Sequence, residues 1–155
     1  MCIICVKAKG VSIPSDKLLG IMWDNNPDGA GVAIHRDGTT KIKILKGFMN
    51  KEMFLERHKT WNIKDNDVVV YHFRIATSGG VNPERTHPFP VTGDKQALME
   101  CSVTCERAFI HNGIISNGNK VLSDTQLYVK EELAPFNDVS ITDLYQYLSE
   151  GTVVP

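Results

Sequence analysis

The chain has no long apolar run. Nowhere in its 155 residues does a stretch approach the roughly 20 apolar residues that a membrane-spanning helix needs. The N-terminus lacks the charged-then-apolar pattern of a secretory signal. Charge of one sign is not in excess either: 17 Lys and Arg against 18 Asp and Glu give a formal net charge of -1. That balance excludes a basic field for nucleic acid and an acidic tract of the disordered kind. Internal repeats and low-complexity tracts are missing, which excludes solenoids and arrays. What remains is one domain over residues 1–155, long enough to bury a core. It is expected to be cytoplasmic and to take small neutral or zwitterionic partners, with no nucleic acid and no membrane.

Cysteine is sparse but placed in pairs. Cys2 and Cys5 form a C-x2-C, and Cys101 and Cys105 a C-x3-C. Two such pairs could hold zinc if their segments lay side by side. Against this, zinc knuckles sit in turns with glycine nearby, whereas Cys2 to Val6 reads as a continuous apolar strand. Disulfides are disfavoured for a cytosolic chain. Cys5, Cys101 and Cys105 are read as packing or surface thiols. Cys2 differs, because a residue this small after the initiator methionine permits removal of Met1. The α-amine so released lies beside its own thiol, and an α-amine titrates near ~8, so it can take the thiol proton around neutrality, directly or through a water. Nucleophile and base then share one residue, although Cys2 alone reads equally as a small hydrophobe starting a strand.

Taken in order, Cys2 to Val6 is apolar without alternation, the pattern of a strand covered on both faces. Ser15 caps a helix carrying Leu18, Leu19, Met22 and Trp23 on one side, and Asn25-Asn26-Pro27-Asp28-Gly29 breaks it. Gly29 to Ile34 resumes as a strand, Arg36 to Thr39 is a hairpin turn, and Lys41 to Leu45 alternates as a half-exposed return strand. Asn50 opens a second helix, with Met53, Phe54 and Trp61 spaced to share a face. Val68 to Arg74 is the strongest strand, and it runs into Arg74-Ile75-Ala76-Thr77-Ser78-Gly79-Gly80, as a strand delivering a site does. Thr86-His87-Pro88-Phe89-Pro90 holds too much proline for a helix or a central strand. Thr92 to Arg107 reads as a loop or hairpin insertion. Ala108 to His111 is a short strand stopping at Asn112-Gly113. Ser123-Asp124-Thr125-Gln126 has capping-box spacing for a helix through Leu133, and Ile141, Leu144, Tyr145 and Leu148 mark a final helix ended by Gly151. This order suggests an α+β fold of packed sheets with helices outside.

Six separated pieces then point to one chemistry: Cys2; Asn26-Pro27-Asp28-Gly29-Ala30-Gly31; His72 through Gly79; Thr86-His87-Pro88-Phe89; His111-Asn112-Gly113; and Ser123-Asp124-Thr125. In this order they resemble the class II glutamine amidotransferases, the glutaminase domains of the N-terminal-nucleophile hydrolase superfamily, and most closely their stand-alone amidotransferase-like branch. The resemblance implies a four-layer αββα sandwich in which Cys2, freed of Met1, attacks the γ-carboxamide of glutamine. Ammonia leaves and water cleaves the γ-glutamyl thioester. It further implies that Asn112 and the backbone N–H of Gly113 receive the oxyanion, donors whose chemistry suits that charge. By family position Arg74 holds the substrate α-carboxylate, where a guanidinium fork matches two oxygens. Asp124 holds the α-ammonium, and Thr77 and Ser78 line the pocket. No cofactor and no metal are implied.

Each assignment has a plainer reading. Arg74 could pair a structural carboxylate, although an arginine directly after an apolar strand is costly to bury without a purpose. Asn112-Gly113 is a common turn dipeptide. Asp124 could serve the helix start, a role that still leaves an oxygen for a ligand. His72, His87 and His111 are expected to be hydrogen-bonded framework residues, since the amine makes an imidazole base unnecessary, and Asp28 and Gly29 to be turn residues near the site. The resemblance runs from Cys2 to about Thr125, and the family's further C-terminal strands have no counterpart, so the expectation is an abbreviated member with a shortened sandwich, a fragment, or a partner of a second chain. Ile75 stands where an aromatic is common, so the pocket wall is expected to differ in shape. No acceptor domain is visible, so ammonia would pass to a synthase or acceptor subunit. Two alternatives stay open: an amidohydrolase acting on a γ-glutamyl-linked small thiol or peptide, and a catalytically inactive regulatory or binding protein with the same fold.

Overall fold

The computed structural model describes residues 1–76, 80–113, 115 and 121–143. The chain is a mixed α+β protein built on a five-stranded antiparallel sheet. Its strands are β1 (Ile3–Lys7), β2 (Ala30–His35), β3 (Ile42–Phe48), β4 (Val68–Phe73) and β6 (Ser102–Cys105), in the order β1-β4-β2-β3-β6. A second, two-stranded sheet pairs β5 (Phe89–Pro90) with β7 (Ala108–Phe109). The helices are α1 (Asp16–Asn25), α2 (Lys51–Thr60), α3 (Lys95–Met99) and α4 (Asp124–Tyr128), and α4 runs on into a wider turn at Val129–Leu133.

Strand pleat decides which residues meet which layer. Val69, Tyr71 and Phe73 of β4 and Val32 and Ile34 of β2 are buried with Leu19 and Trp23 of α1 and Phe54 of α2, so both long helices cover one face of the large sheet. Phe54 forms edge contacts with Phe73 and Trp61, their ring centroids 5.5 and 6.0 Å away. The caps fall where the sequence places them: Ser15 Oγ accepts the Leu18 N–H, and Asn50 Oδ1 accepts the Met53 N–H. Met53 does not join Phe54 and Trp61 on the buried face; it is exposed. It precedes Phe54 by one residue, about 100° round the helix, while the seven-residue step from Phe54 to Trp61 keeps those two in line.

The opposite face carries Ile4 and Val6 of β1, Val68, Val70 and His72 of β4, Ala33 of β2 and Ile44 and Lys46 of β3, as the registers require. The small sheet covers only part of it. His87 lies over Gly31 so closely that a Cβ built there would stand 2.2 Å from the His87 carbonyl oxygen. A second apolar cluster, Phe89, Leu98, Val129 and Leu133 with Phe109 and Tyr128 against it, ties the small sheet to α3, α4 and the turn beyond it. Farther along, a cavity of about 290 Å³ opens between Ala33, Val68, Val70, Ala108 and Ile110. β1 is therefore not covered on both faces, as its unbroken apolar pattern suggests, because the two-stranded sheet stops short of it and leaves Ile4 39% and Val6 61% exposed. Thr92 to Arg107 is also more regular than a loop or hairpin. Asp94 caps α3, and β6 pairs with β3, about 60 residues away in sequence.

Residues 141–143 are helical, as expected for the start of the final helix. Leu144, Tyr145, Leu148 and Gly151 lie outside the described residues. Among the described residues no helix is long and apolar enough to cross a membrane.

Candidate active site

The site grows from the end of the large sheet where β1 begins and β4 ends. Ile3 pairs with Phe73, so continuing the antiparallel register one step sets Cys2 across from Arg74. On the other side Arg74 is held to the β2 end by two backbone hydrogen bonds, its N–H to the Gly29 carbonyl at 2.8 Å and the Asp28 N–H to its own carbonyl at 3.1 Å. Gly29 is required at this junction. Its φ of +115° is unfavourable for a residue with a Cβ, which would also meet Thr86 Cγ2 at 2.7 Å. Asp28 does more than turn the chain: its Oδ2 accepts the Ala76 N–H at 2.8 Å and fixes the segment leaving β4.

Asn112 comes from the chain leaving β7 and reaches across to Cys2. Its Oδ1 accepts the Cys2 N–H and its Nδ2 donates to the Cys2 carbonyl, both at 2.9 Å. One side-chain amide thus pairs with the main chain of Cys2 as a neighbouring strand would. An amide nitrogen carries two hydrogens, so one is left over from the bond to the Cys2 carbonyl. The Cys2 thiol itself lies 3.9 Å from the Ile75 carbonyl oxygen. Gly113 follows Asn112, and a Cβ there would stand 2.9 Å from the His111 ring, which stacks nearly parallel to Phe109.

Arg74 is buried, with Nη1 donating to the Gly80 carbonyl at 2.9 Å. Burial draws its guanidinium pKa down, and Cys2, Asp28 and Asp124 act against that shift, so all three lie within electrostatic reach of this cation. Asp124 occupies the first turn of α4 behind Ser123. The reciprocal pair Ser123 Oγ with the Gln126 N–H and Gln126 Oε1 with the Ser123 N–H forms the capping box. Asp124 Oδ1 accepts the Thr125 N–H at 2.8 Å and Oδ2 the Ile115 N–H at 3.2 Å, tying the helix start to the segment beyond Gly113. Cys2, Arg74, Asn112, Gly113 and Asp124 are therefore grouped at one end of the molecule. Thr77 and Ser78 lie outside the described residues.

The histidines depart from expectation. His72 and His87 are buried side by side, their rings tilted by 33° with centroids 4.3 Å apart, and none of their four ring nitrogens makes a well-aligned hydrogen bond to the described residues. Both rings are packed in the layer between the sheets; a polar neighbour of His72, the backbone of His111, is too poorly aligned to make a full hydrogen bond. Desolvation pushes His72 down to about 4 and His87 well below its ordinary value. Lys46 reaches into the same layer. Its Nζ donates to the carbonyls of Glu84 and Leu98 and lies 4.0 Å from the centre of the Phe89 ring. Gln126 Nε2 donates to the same two carbonyls.

All four cysteines are free thiols, and among the described residues no group of three or more His, Cys, Asp or Glu side chains is placed to hold a metal ion. Sequence reading assigned Asn26 only to a turn. In the structure its Nδ2 donates to the Met1 carbonyl at 2.9 Å. The clue available was its place in Asn-Pro-Asp-Gly beside Asp28, which holds the Arg74 segment. Comparison of the chain with family models, with curated proteins and with solved structures finds no match.

Proposed function

We propose that this protein is a glutaminase-type amidohydrolase in which Cys2, after loss of Met1, is the nucleophile. The observation that carries this reading is the double hydrogen bond between Asn112 and Cys2, made across 110 positions of sequence with Arg74 on the opposing strand. In the proposed reaction the α-amine of Cys2 takes the thiol proton, and the thiolate adds to the γ-carboxamide carbon of glutamine. The oxyanion is received by the second Asn112 amide hydrogen and the Gly113 N–H. The α-ammonium returns its proton to the departing nitrogen, ammonia leaves, and the γ-glutamyl thioester is cleaved by water with the same amine as base. Arg74 pairs with the substrate carboxylate and Asp124 with its ammonium, so a zwitterionic head meets opposite charge at both ends.

The layer order supports the same reading. Two helices on the outer face of the large sheet and a separate helical cluster on the small one are compatible with an αββα sandwich. Ammonia would then pass to an acceptor subunit in the cytoplasm. Protein whose first residue is Cys2 is expected to release equal amounts of glutamate and ammonia from glutamine, and Cys2→Ala to release neither. Turnover that persists in Cys2→Ala, or none from the Cys2-first protein, overturns the proposal. Competition between glutamine and γ-glutamyl peptides identifies the preferred leaving group.

A further inference from the structure

The peptide bond between Met1 and Cys2 is held at both polar atoms by asparagine side chains. Asn112 Oδ1 accepts its N–H, and Asn26 Nδ2 donates to its carbonyl oxygen, each at 2.9 Å. Asn26 is 4% exposed and is fixed from behind, its own N–H capping α1 on the carbonyls of Met22 and Trp23 at 3.1 and 3.0 Å. The hydrogen bond to Met1 is the one its side chain makes among the described residues. A buried amide is thus committed to a residue whose loss the proposed function requires, and without Met1, itself 92% exposed, its donor would face a position that solvent can reach. Buried amides left without a partner are costly, and polar sites of this kind take up water.

We propose that Asn26 is a positioning residue for the nucleophile: in the chain that begins at Cys2, its amide holds a water in place of the Met1 carbonyl oxygen. That water passes the thiol proton to the α-amine. The inference rests on the reading of Cys2 as an N-terminal nucleophile. A peptide carbonyl oxygen lies roughly 2.2 Å from the nitrogen it adjoins, so a water near that position, eased outward to hydrogen-bonding distance, touches the new amine. The step balances without any further reactant. The S–H bond breaks as its proton goes to the water oxygen, and a water proton goes to the amine lone pair, leaving thiolate, α-ammonium and water. Asn112 Oδ1 keeps one amine hydrogen, which turns the lone pair toward the water. An amide suits the role because it donates to the water oxygen. A carboxylate at position 26 would pair with the α-ammonium and hold the amine in its protonated form, useless as a base.

The test uses protein with Cys2 as its first residue, released from a cleavable leader, and the same protein retaining Met1. Each is made as the unaltered chain and as Asn26→Ala, Asn26→Asp and Asn26→Ser, with thermal unfolding checked. Alkylation of each cysteine by iodoacetamide is followed across pH by peptide-resolved mass spectrometry. Cys5, Cys101 and Cys105, whose thiols burial pushes up, serve as internal references. In the Cys2-first form, Asn26→Ala and Asn26→Asp are expected to slow Cys2 alkylation at pH 7 about 10-fold, the worth of one well-made hydrogen bond. Asn26→Ser, which keeps a hydroxyl to hold the water, is expected to recover part of the rate and so decides the matter should the alanine variant unfold. In the Met1-retaining form all four proteins should react alike. Equal rates in the Cys2-first forms, or the same loss in both forms, overturn the proposal, the latter because it indicates a merely structural role. Iodoacetamide reports the thiolate without glutamine turnover. An Asn26 effect without turnover therefore sinks only the glutaminase reading, whereas unimpaired turnover in Asn26→Ala sinks only this one.

Discussion

Arg74 illustrates how a residue's duties are divided by its environment. Its backbone closes the β2–β4 junction, one guanidinium nitrogen holds the Gly80 carbonyl, and Cys2, Asp28 and Asp124 lie within electrostatic reach of its charge. Lysine preserves the charge but not the planar fork, so Arg74→Lys removes the paired grip proposed for the substrate carboxylate. A charge-assisted hydrogen bond is worth about 1.5–3 kcal/mol, so KM for glutamine is expected to rise roughly 10- to 100-fold with kcat far less affected. Steady-state kinetics on the Cys2-first protein check this, and an unchanged KM contradicts it. The sequence made Arg74 legible because a charged residue directly ending an apolar strand demands a reason. It did not reveal Asn26 or the paired hydrogen bonds between Asn112 and Cys2, because a side chain's choice between a ligand and a neighbouring backbone depends on chain separated by dozens of residues.

Among the elements, the join between the two sheets is the most exacting. Gly31 on β2 lies under the His87 carbonyl, and a methyl group there would stand 2.2 Å from that oxygen and 2.6 Å from Lys46 Cβ. Neither is the far end of a flexible side chain, so Gly31→Ala must part the sheets. Overpacking costs typically about 1–3 kcal/mol, and a loss in that range, read as a lower urea midpoint, is expected together with reduced turnover as Asn112 is drawn off Cys2. Gly93 has open space around it, and Gly93→Ala should leave the midpoint in place. Two equal midpoints would contradict this account of the join. The long strands and the capped helices could be read from local pattern, since Ser15, Asn50 and Ser123 cap where their spacing says. β6 and α3 could not, because Ser102–Cys105 is too short to alternate clearly and gains its strand from a distant β3. The exposure of Ile4 and Val6 was hidden for the opposite reason: an unbroken apolar run records a preference for burial, not whether the covering layer extends far enough.

For the molecule as a whole, the layer between the sheets sets the response to pH. In that layer His72 is pushed down to about 4 and His87 well below its ordinary value, and on the outer face His58 of α2 is also lowered, each chiefly by desolvation. The unfolded chain takes up these protons near pH 6.5 and the folded one only at lower pH, so stability falls as pH drops from about 6.5 toward 4. Burial brings Lys46 down to about 7, so the unfolded chain keeps that proton to higher pH and stability rises above pH 7. Both effects have one sign, and the thermal midpoint is expected to climb from pH 4 to about pH 8. Above that the thiols of Cys5, Cys101 and Cys105, raised by burial, act in the opposite sense. Replacing His72 and His87 by phenylalanine should flatten the acid limb, since it removes two groups that the unfolded chain protonates before the folded one; an acid limb of unchanged steepness would contradict this. These terms are spread through the packing and have no signature in sequence, where a histidine in a strand reads the same whether paired or stranded.

The central claim is that a freed Cys2 sits before a pocket built to read a glutamine head. It is tested most directly by the intact mass of the Cys2-first protein after incubation with an electrophilic glutamine analogue. A single adduct is expected, mapping to Cys2, suppressed by excess glutamine and absent when Met1 is retained. No adduct at Cys2, or one that forms regardless of glutamine and of Met1, would contradict the account.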